Sequence, residues 1–162
     1  MDKLYTGNGD NGYTQTLNNK HISKSDVLIE LIGTLDEFSS CLGVAKVHTE
    51  DKKLICDIEL LQKKLISIMG ELAGGKISVT DECIKAVEEM TDCYGGSFEG
   101  FSLPGNNPQS AFLDLARCVV RRAERLASKV MQQGRMRGIT LVYLNRASDL
   151  VYTMSRYAEK NI

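Results

Sequence analysis

Along this chain apolar residues recur at alternating spacings of three and four, the interval that lines one face of an α-helix, and no useful length of strand-like alternation interrupts them. Leu28, Leu31, Ile32, Leu35, Phe38, Leu42 and Ala45 mark a first helix from Ser25 to about His48. Leu54, Ile58, Leu61, Leu65, Ile68 and Leu72 mark a second, from about Asp51 to Ala73, which Gly74-Gly75 stops. Thr80-Asp81-Glu82 opens a shorter third helix ending near Tyr94. A loop from Gly95 to Pro108 leads into a fourth, reaching about Gln133, and a fifth runs from about Ile139 to Lys160. The pattern predicts an all-α fold, a five-helix bundle with ferritin-like up-down packing. At 162 residues and 43% hydrophobic content one core is enough, so residues 1–162 read as a single domain, a loop segment 1–24 followed by helices over 25–162.

The fourth helix is the informative one. Phe112, Ala116, Val119, Ala123, Leu126 and Val130 form its apolar stripe, while Arg117, Arg121 and Arg125 share the other face with Glu124 beside them. From Arg117 to Arg137 the chain has seven basic residues against one acid, although its net charge is only −1. Such a ladder is either a solvated face trimmed with salt bridges or a polyanion site, since guanidinium groups pair bidentately with phosphate oxygens. On the fifth helix Asn145, Asp149, Thr153 and Arg156 line a polar face, opposite Leu144, Ala147, Val151, Met154 and Ala158. Asn145-Arg146 and Asp149 are complementary partners for the ladder.

Several classes of function are disfavoured. No apolar run approaches a membrane span, and the opening residues lack the core of a secretory signal, so a cytoplasmic location without membrane association is expected. The five cysteines form no C-x-x-C pair and read as reduced core thiols. Two histidines, neither near a cysteine, make a protein-built zinc site improbable. With no Trp and 6% aromatic residues there is no stacking platform for nucleic acid, and Glu124 and Asp149 interrupt the basic patch.

Residues 1–24 hold the segment rich in Gly, Asn and Thr, Tyr5-Thr6-Gly7-Asn8-Gly9-Asp10-Asn11-Gly12-Tyr13-Thr14. Such a loop can present N–H groups and hydroxyls to phosphates, but no Gly-Lys-Ser/Thr follows, and a disordered N-terminal arm is the other reading.

Taken in order, Thr6-x-x-Gly9-Asp10-x-Gly12-x-Thr14, Lys24 and Glu30 ahead of Gly33-Thr34-Leu35-Asp36-Glu37, Phe101-x-Leu103-Pro104-Gly105, Arg117-x-x-x-Arg121-Arg122-Ala123-Glu124-Arg125 and Tyr143-Leu144-Asn145-Arg146-x-Ser148-Asp149 resemble the PduO-type ATP:cob(I)alamin adenosyltransferases. The resemblance spans nearly the whole chain. It implies a homotrimer with active sites between subunits, and a reaction in which the 5′-deoxyadenosyl group of ATP passes to cob(I)alamin, giving adenosylcobalamin and triphosphate. It implies ATP contacts from Thr6, Gly9, Asp10, Gly12, Thr14 and Lys24 of one subunit and from Arg121, Glu124, Arg125 and Asn145 of another. Mg²⁺ would arrive on the ATP phosphates, with Glu124 as a candidate protein ligand. Asp36 and Arg117 match an intersubunit ion pair that shapes the corrinoid site, and Phe101 matches a phenylalanine that displaces the lower axial ligand of cobalt. Arg121, Asn145 and Phe101 are thus the expected catalytic residues. A reductase supplying the electron and an adenosylcobalamin-dependent enzyme receiving the product are the implied further partners.

The chain departs from the family pattern at Gly7-Asn8, where a basic residue beside a small one is usual, at Leu28 in place of an arginine, at Asn106 in place of a second glycine, and at His21. These departures keep open an alternative, a non-catalytic trimer that binds ATP or cobalamin as a carrier or sensor. A helical nucleic-acid binder is the third reading.

Overall fold

The computed structural model describes residue 5, residues 7–95, residue 100 and residues 103–160. Five helices carry the fold: α1 (Val27–Val47), α2 (Lys52–Leu72), α3 (Asp81–Cys93), α4 (Pro108–Gln132) and α5 (Gly138–Lys160). Three start on a side chain that accepts from otherwise unpaired N–H groups of the first turn. Asp26 accepts from the Leu28 N–H at 2.8 Å, Asp51 from Lys53 and Leu54 at 2.8 and 3.1 Å, and Asn107 from Ser110 at 2.8 Å. Pro108 occupies the first helical position of α4, where its missing N–H costs nothing.

The helices run up and down. At one end Arg135, in the α4–α5 turn, pairs with Asp26 at the start of α1 at 3.0 Å. At the other, the Tyr157 hydroxyl near the end of α5 donates to Asp51 at the start of α2 at 2.8 Å, and Asn107 Nδ2 donates to the Ala158 carbonyl at 2.8 Å. α1 packs on α2 and α4, and α5 packs on α3 and α4. Leu31, Leu35, Phe38 and Leu42 of α1, Leu65 and Ile68 of α2, Leu113 and Val120 of α4, and Leu144, Leu150 and Met154 of α5 are fully buried between them. This single core is the one the three-and-four spacing predicts.

Three expectations are corrected. The N-terminal segment is neither a featureless loop nor an arm throughout, because β1 (Tyr13–Gln15) and β2 (His21–Ser23) pair antiparallel, with Thr14 opposite Ile22. Strands of three residues are too short to show a two-residue period, so the turn at Thr16–Asn19 was the only available sign. The hairpin is tied to the bundle where the Leu17 N–H donates to the Ala73 carbonyl at 2.9 Å. Beside it Gly74 has φ +96°, and a Cβ there would stand 2.6 Å from Asn18, so glycine is required.

The cysteines, secondly, are free, but only Cys41 and Cys83 pack against the core. Cys56, Cys93 and Cys118 are exposed, and Cys41 and Cys83 are half-buried. Aliphatic neighbours such as Leu42 beside Cys41 and Val119 beside Cys118 sit about 100° around the helix, on the buried stripe. Thirdly, Thr153 does not belong to an exposed polar face. It is 6% exposed, since α3 and α4 cover most of α5, and its hydroxyl is satisfied by the Leu150 carbonyl at 2.9 Å.

Candidate functional site

The exposed side of α4 has two edges. Toward α1, Arg122 pairs with Glu37. Toward α5, Asn145 Nδ2 donates to Glu124 Oε1 at 3.1 Å, while Asn145 Oδ1 accepts from Arg146 Nη1 at 2.8 Å. Arg146 is held in turn by Glu88 of α3, its Nε donating to Oε1 at 2.8 Å. A chain of charge-assisted bonds from α3 through α5 to α4 therefore fixes the rotamer of Asn145.

Between the two edges the ladder is open. Arg121 is exposed and its side chain meets no partner among the described residues, whereas the Arg125 guanidinium folds back onto the Arg121 carbonyl at 3.0 Å. Asp149 lies within the fields of Arg146, Glu124 and Arg121. Partial burial raises its pKa, Arg146 opposes that rise, Glu124 adds to it and Arg121 opposes it again. An unpartnered guanidinium beside a fixed amide and two carboxylates can bind a polyanion that brings a cation with it.

One helical turn nearer the Pro-Gly-Asn loop, Arg117 presents a second feature. Its Nε is buried without a hydrogen-bond partner, and its guanidinium carbon stands 6.0 Å from the Tyr152 ring centroid. Arg156 approaches the same ring at 5.6 Å and is locked by buried Asp114, itself 5% exposed. The Tyr152 hydroxyl donates to the Gly100 carbonyl at 3.0 Å, which anchors the loop next to Arg117. Phe101 follows Gly100 directly but lies outside the described residues, as does Thr6. Among the described residues the buried Arg117 Nε–H has no hydrogen-bond acceptor.

Asp36, on the α1 side of α4, is exposed and makes no ion pair within the described chain. The structure does not join it to Arg117. Nor does it join the N-terminal loop to the ladder, for no hydrogen bond or ion pair links Gly9, Asp10, Gly12, Thr14 or Lys24 to Arg121, Glu124, Arg125 or Asn145 among the described residues.

The loop has its own order. Gly7 and Gly12 take φ values of +72° and +81°, the Asp10 N–H donates to the Gly7 carbonyl at 3.2 Å, and the Lys24 N–H to the Gly12 carbonyl at 2.9 Å. The Lys24 ammonium lies across Gly9, where an added Cβ would stand 2.9 Å from Nζ. Gly9, Gly12 and Lys24 thus form one cationic turn, with Thr14 half-buried on β1 beside it.

Among the departures, Leu28 is core at 7% exposed, and Asn106 Nδ2 donates to Glu159 Oε1 at 3.0 Å, tying its loop to the end of α5. Sequence reasoning missed Glu88, Tyr152 and Asp114. An aspartate between apolar neighbours in Phe112-Leu113-Asp114-Leu115 was a legible sign of a buried ion pair, whereas nothing local separates Glu88 from a solvated charge.

The cobalamin adenosyltransferase family matches over residues 4–158. A corrinoid adenosyltransferase of Citrobacter freundii is 34% identical, covering 98% of this chain and 96% of its own, and a human corrinoid adenosyltransferase is 31% identical over 98% and 69% respectively. Among solved structures, a variant PduO-type ATP:corrinoid adenosyltransferase from Lactobacillus reuteri, complexed with cobalamin and ATP, superposes with a TM-score of 0.90. It shares 27% sequence identity over 98% of this chain and 94% of that one.

Proposed function

Because the chain belongs to the cobalamin adenosyltransferase family, we propose that it transfers the 5′-deoxyadenosyl group of ATP to cob(I)alamin. The Co(I) electron pair attacks C5′, the C5′–O bond breaks, and triphosphate leaves with the bonding pair. The observation that carries this reading is the fixed Asn145–Glu124 contact at 3.1 Å beside an Arg121 guanidinium that has no protein partner among the described residues. Arg121 and Arg125 stabilise the charge that grows on the leaving triphosphate, and Asn145, held by Glu124 and Arg146, positions it. Mg²⁺ on the triphosphate would neutralise further charge there, and Glu124 has its second carboxylate oxygen to offer it. The nucleophile belongs to the corrinoid, so no general base is required.

The site is read as composite. The cationic turn of Gly9, Asp10, Gly12, Thr14 and Lys24, with Thr6, closes over the triphosphate from one subunit, while α4 and α5 of the next supply the ladder and Asn145. Asp36, exposed on α1, pairs with the Arg117 guanidinium of another subunit in a closed trimer. Phe101, next to the anchored Gly100, displaces the lower axial ligand of cobalt so that the corrinoid is reducible.

The deciding experiment is anaerobic adenosylation of chemically reduced cob(I)alamin with ATP and Mg²⁺, followed by corrinoid absorbance and by triphosphate release. Stoichiometric adenosylcobalamin and triphosphate are expected. Binding of both substrates without turnover would instead establish a carrier or sensor.

A further inference from the structure

Away from the arginine helix, α2, α3 and α5 line a solvent-open pocket of about 320 Å³, within the size range of small-molecule pockets. Its wall is mainly apolar, with Leu60, Val87, Met90 and Leu150 prominent, and its polar groups are confined to Lys64, Glu82, Cys83 and Tyr143. Lys64 Nζ donates to Cys83 Sγ at 3.2 Å and to the Ser78 carbonyl at 2.9 Å, so the ammonium is held against the sulfur. The Thr80 hydroxyl stands 3.5 Å from the same sulfur.

Cys83 lies in the first turn of α3, whose amino end is positive and carries no side-chain cap from Thr80. Asp81 and Glu82 of that turn oppose the effect. Burial pushes the Cys83 thiol up, yet the Thr80 and Lys64 hydrogen bonds and the Lys64 charge outweigh it and leave the pKa below the ordinary thiol value. Tyr143 places a polar group in the same wall. It is 2% exposed, it lines the cavity, and its hydroxyl has no hydrogen-bond partner among the described residues. Burial, with Cys83 nearby, raises its pKa, so it remains a donor.

We propose that Cys83 is a covalent modification site whose thiolate, paired with Lys64, attacks small apolar disulfides that enter this cavity. The Cys83 sulfur bonds to one sulfur of the disulfide, the original S–S bond breaks, and the second sulfur leaves as a thiolate that takes a proton from solvent. The disulfide is the oxidant, and an external thiol reverses the exchange. The apolar wall holds the organic group, and the Tyr143 hydroxyl is available to hydrogen-bond sulfur during the transfer.

The test uses the full chain, reduced, at pH 7, with a substoichiometric amount of 4,4′-dithiodipyridine, an uncharged aromatic disulfide. Released thiopyridone gives the rate, and peptide mass mapping gives the site. Cys83 is expected to react about tenfold faster than exposed Cys56, Cys93 and Cys118, to whose sulfurs no hydrogen bond is made among the described residues. Lys64→Met should remove most of that preference and Lys64→Arg should retain it, while the three exposed thiols keep their rates. A dianionic aromatic disulfide should lose the preference, because the wall is apolar. Equal labelling of all exposed thiols and Cys83 in the unmodified chain, a measurement that needs no variant, overturns the proposal, as does an unchanged Cys83 rate in folded Lys64→Met.

Discussion

Asn145 and Arg121 are placed in opposite ways, and their variants should fail differently. Asn145 is bonded on both sides, to Glu124 and to Arg146, whereas Arg121 is open. In the proposed reaction each change to alanine removes a preorganised contact to a developing charge, which costs on the order of 2–4 kcal/mol, so kcat/KM should fall by at least about tenfold in both. Asn145→Ala should also lower the melting temperature, because Glu124 and Arg146 lose a shared partner, while Arg121→Ala should leave it unchanged. Steady-state kinetics with differential scanning calorimetry check both. Gly9→Ala should raise the KM for ATP with little effect on melting, since the new Cβ would stand 2.9 Å from the Lys24 Nζ and displace a flexible side chain rather than backbone.

Glu71 gives a pH prediction at the same scale. Burial alone would raise its pKa, but the Arg137 guanidinium at 2.9 Å and the Ser78 N–H and hydroxyl hold it below the ordinary 4.5. A carboxylate depressed in the folded state contributes stability above its unfolded pKa, and that stability is lost as pH falls through the folded value. Thermal melts should therefore show a steeper decline below about pH 4.5 in the native chain than in Glu71→Gln, which should start from a lower melting temperature at pH 7.

At the scale of elements, α4 carries both the arginine ladder and a deeply buried stripe, Leu113, Ala116, Val120, Ala123 and Val130. Its start is fixed by Asn107, which caps the helix through Oδ1 and holds the end of α5 through Nδ2. Asn107→Ala should cost about 1–2 kcal/mol, at the upper end for a cap because the tie to α5 goes with it. Chemical denaturation at equal m-value checks this. Leu28 to Leu42 and Leu54 to Leu72 announce α1 and α2 through their period, and both form within a residue or two of the expected bounds. The β1–β2 hairpin does not announce itself, because its order comes from pairing and from the bond between Leu17 and Ala73, the residue that caps α2.

At the scale of the molecule, the proposed composite site requires neighbouring copies, because no hydrogen bond or ion pair joins Asp36 to Arg117 or the cationic turn to the ladder among the described residues. Sedimentation should give a trimer at micromolar concentration, and Arg117→Glu should weaken corrinoid binding more than ATP binding, with the Asp36→Arg change restoring part of it across the boundary. A stable monomer with full activity would refute the composite site. Phe101→Ala should spare ATP affinity and slow adenosylation mainly when cob(II)alamin must be reduced in the site; equal losses from either cobalt state would remove the wedge role.

What the sequence determined by itself was the set of helices, their buried stripes and the identity of the polar residues on α4 and α5. Those follow from a helical period that fixes which side chains share a face before any contact forms. What only tertiary structure decided was which charges meet. Arg122 turns to Glu37, Arg156 to buried Asp114, and Arg146 to Glu88, leaving the Arg121 side chain and the Arg117 Nε without a hydrogen-bond partner among the described residues. The cysteines changed sides for the same reason: the period names a stripe, but its edges are drawn by the helices that pack against it. Long polar side chains reach partners far away in sequence, and their choice depends on where the helices lie relative to one another, a quantity that no local spacing contains.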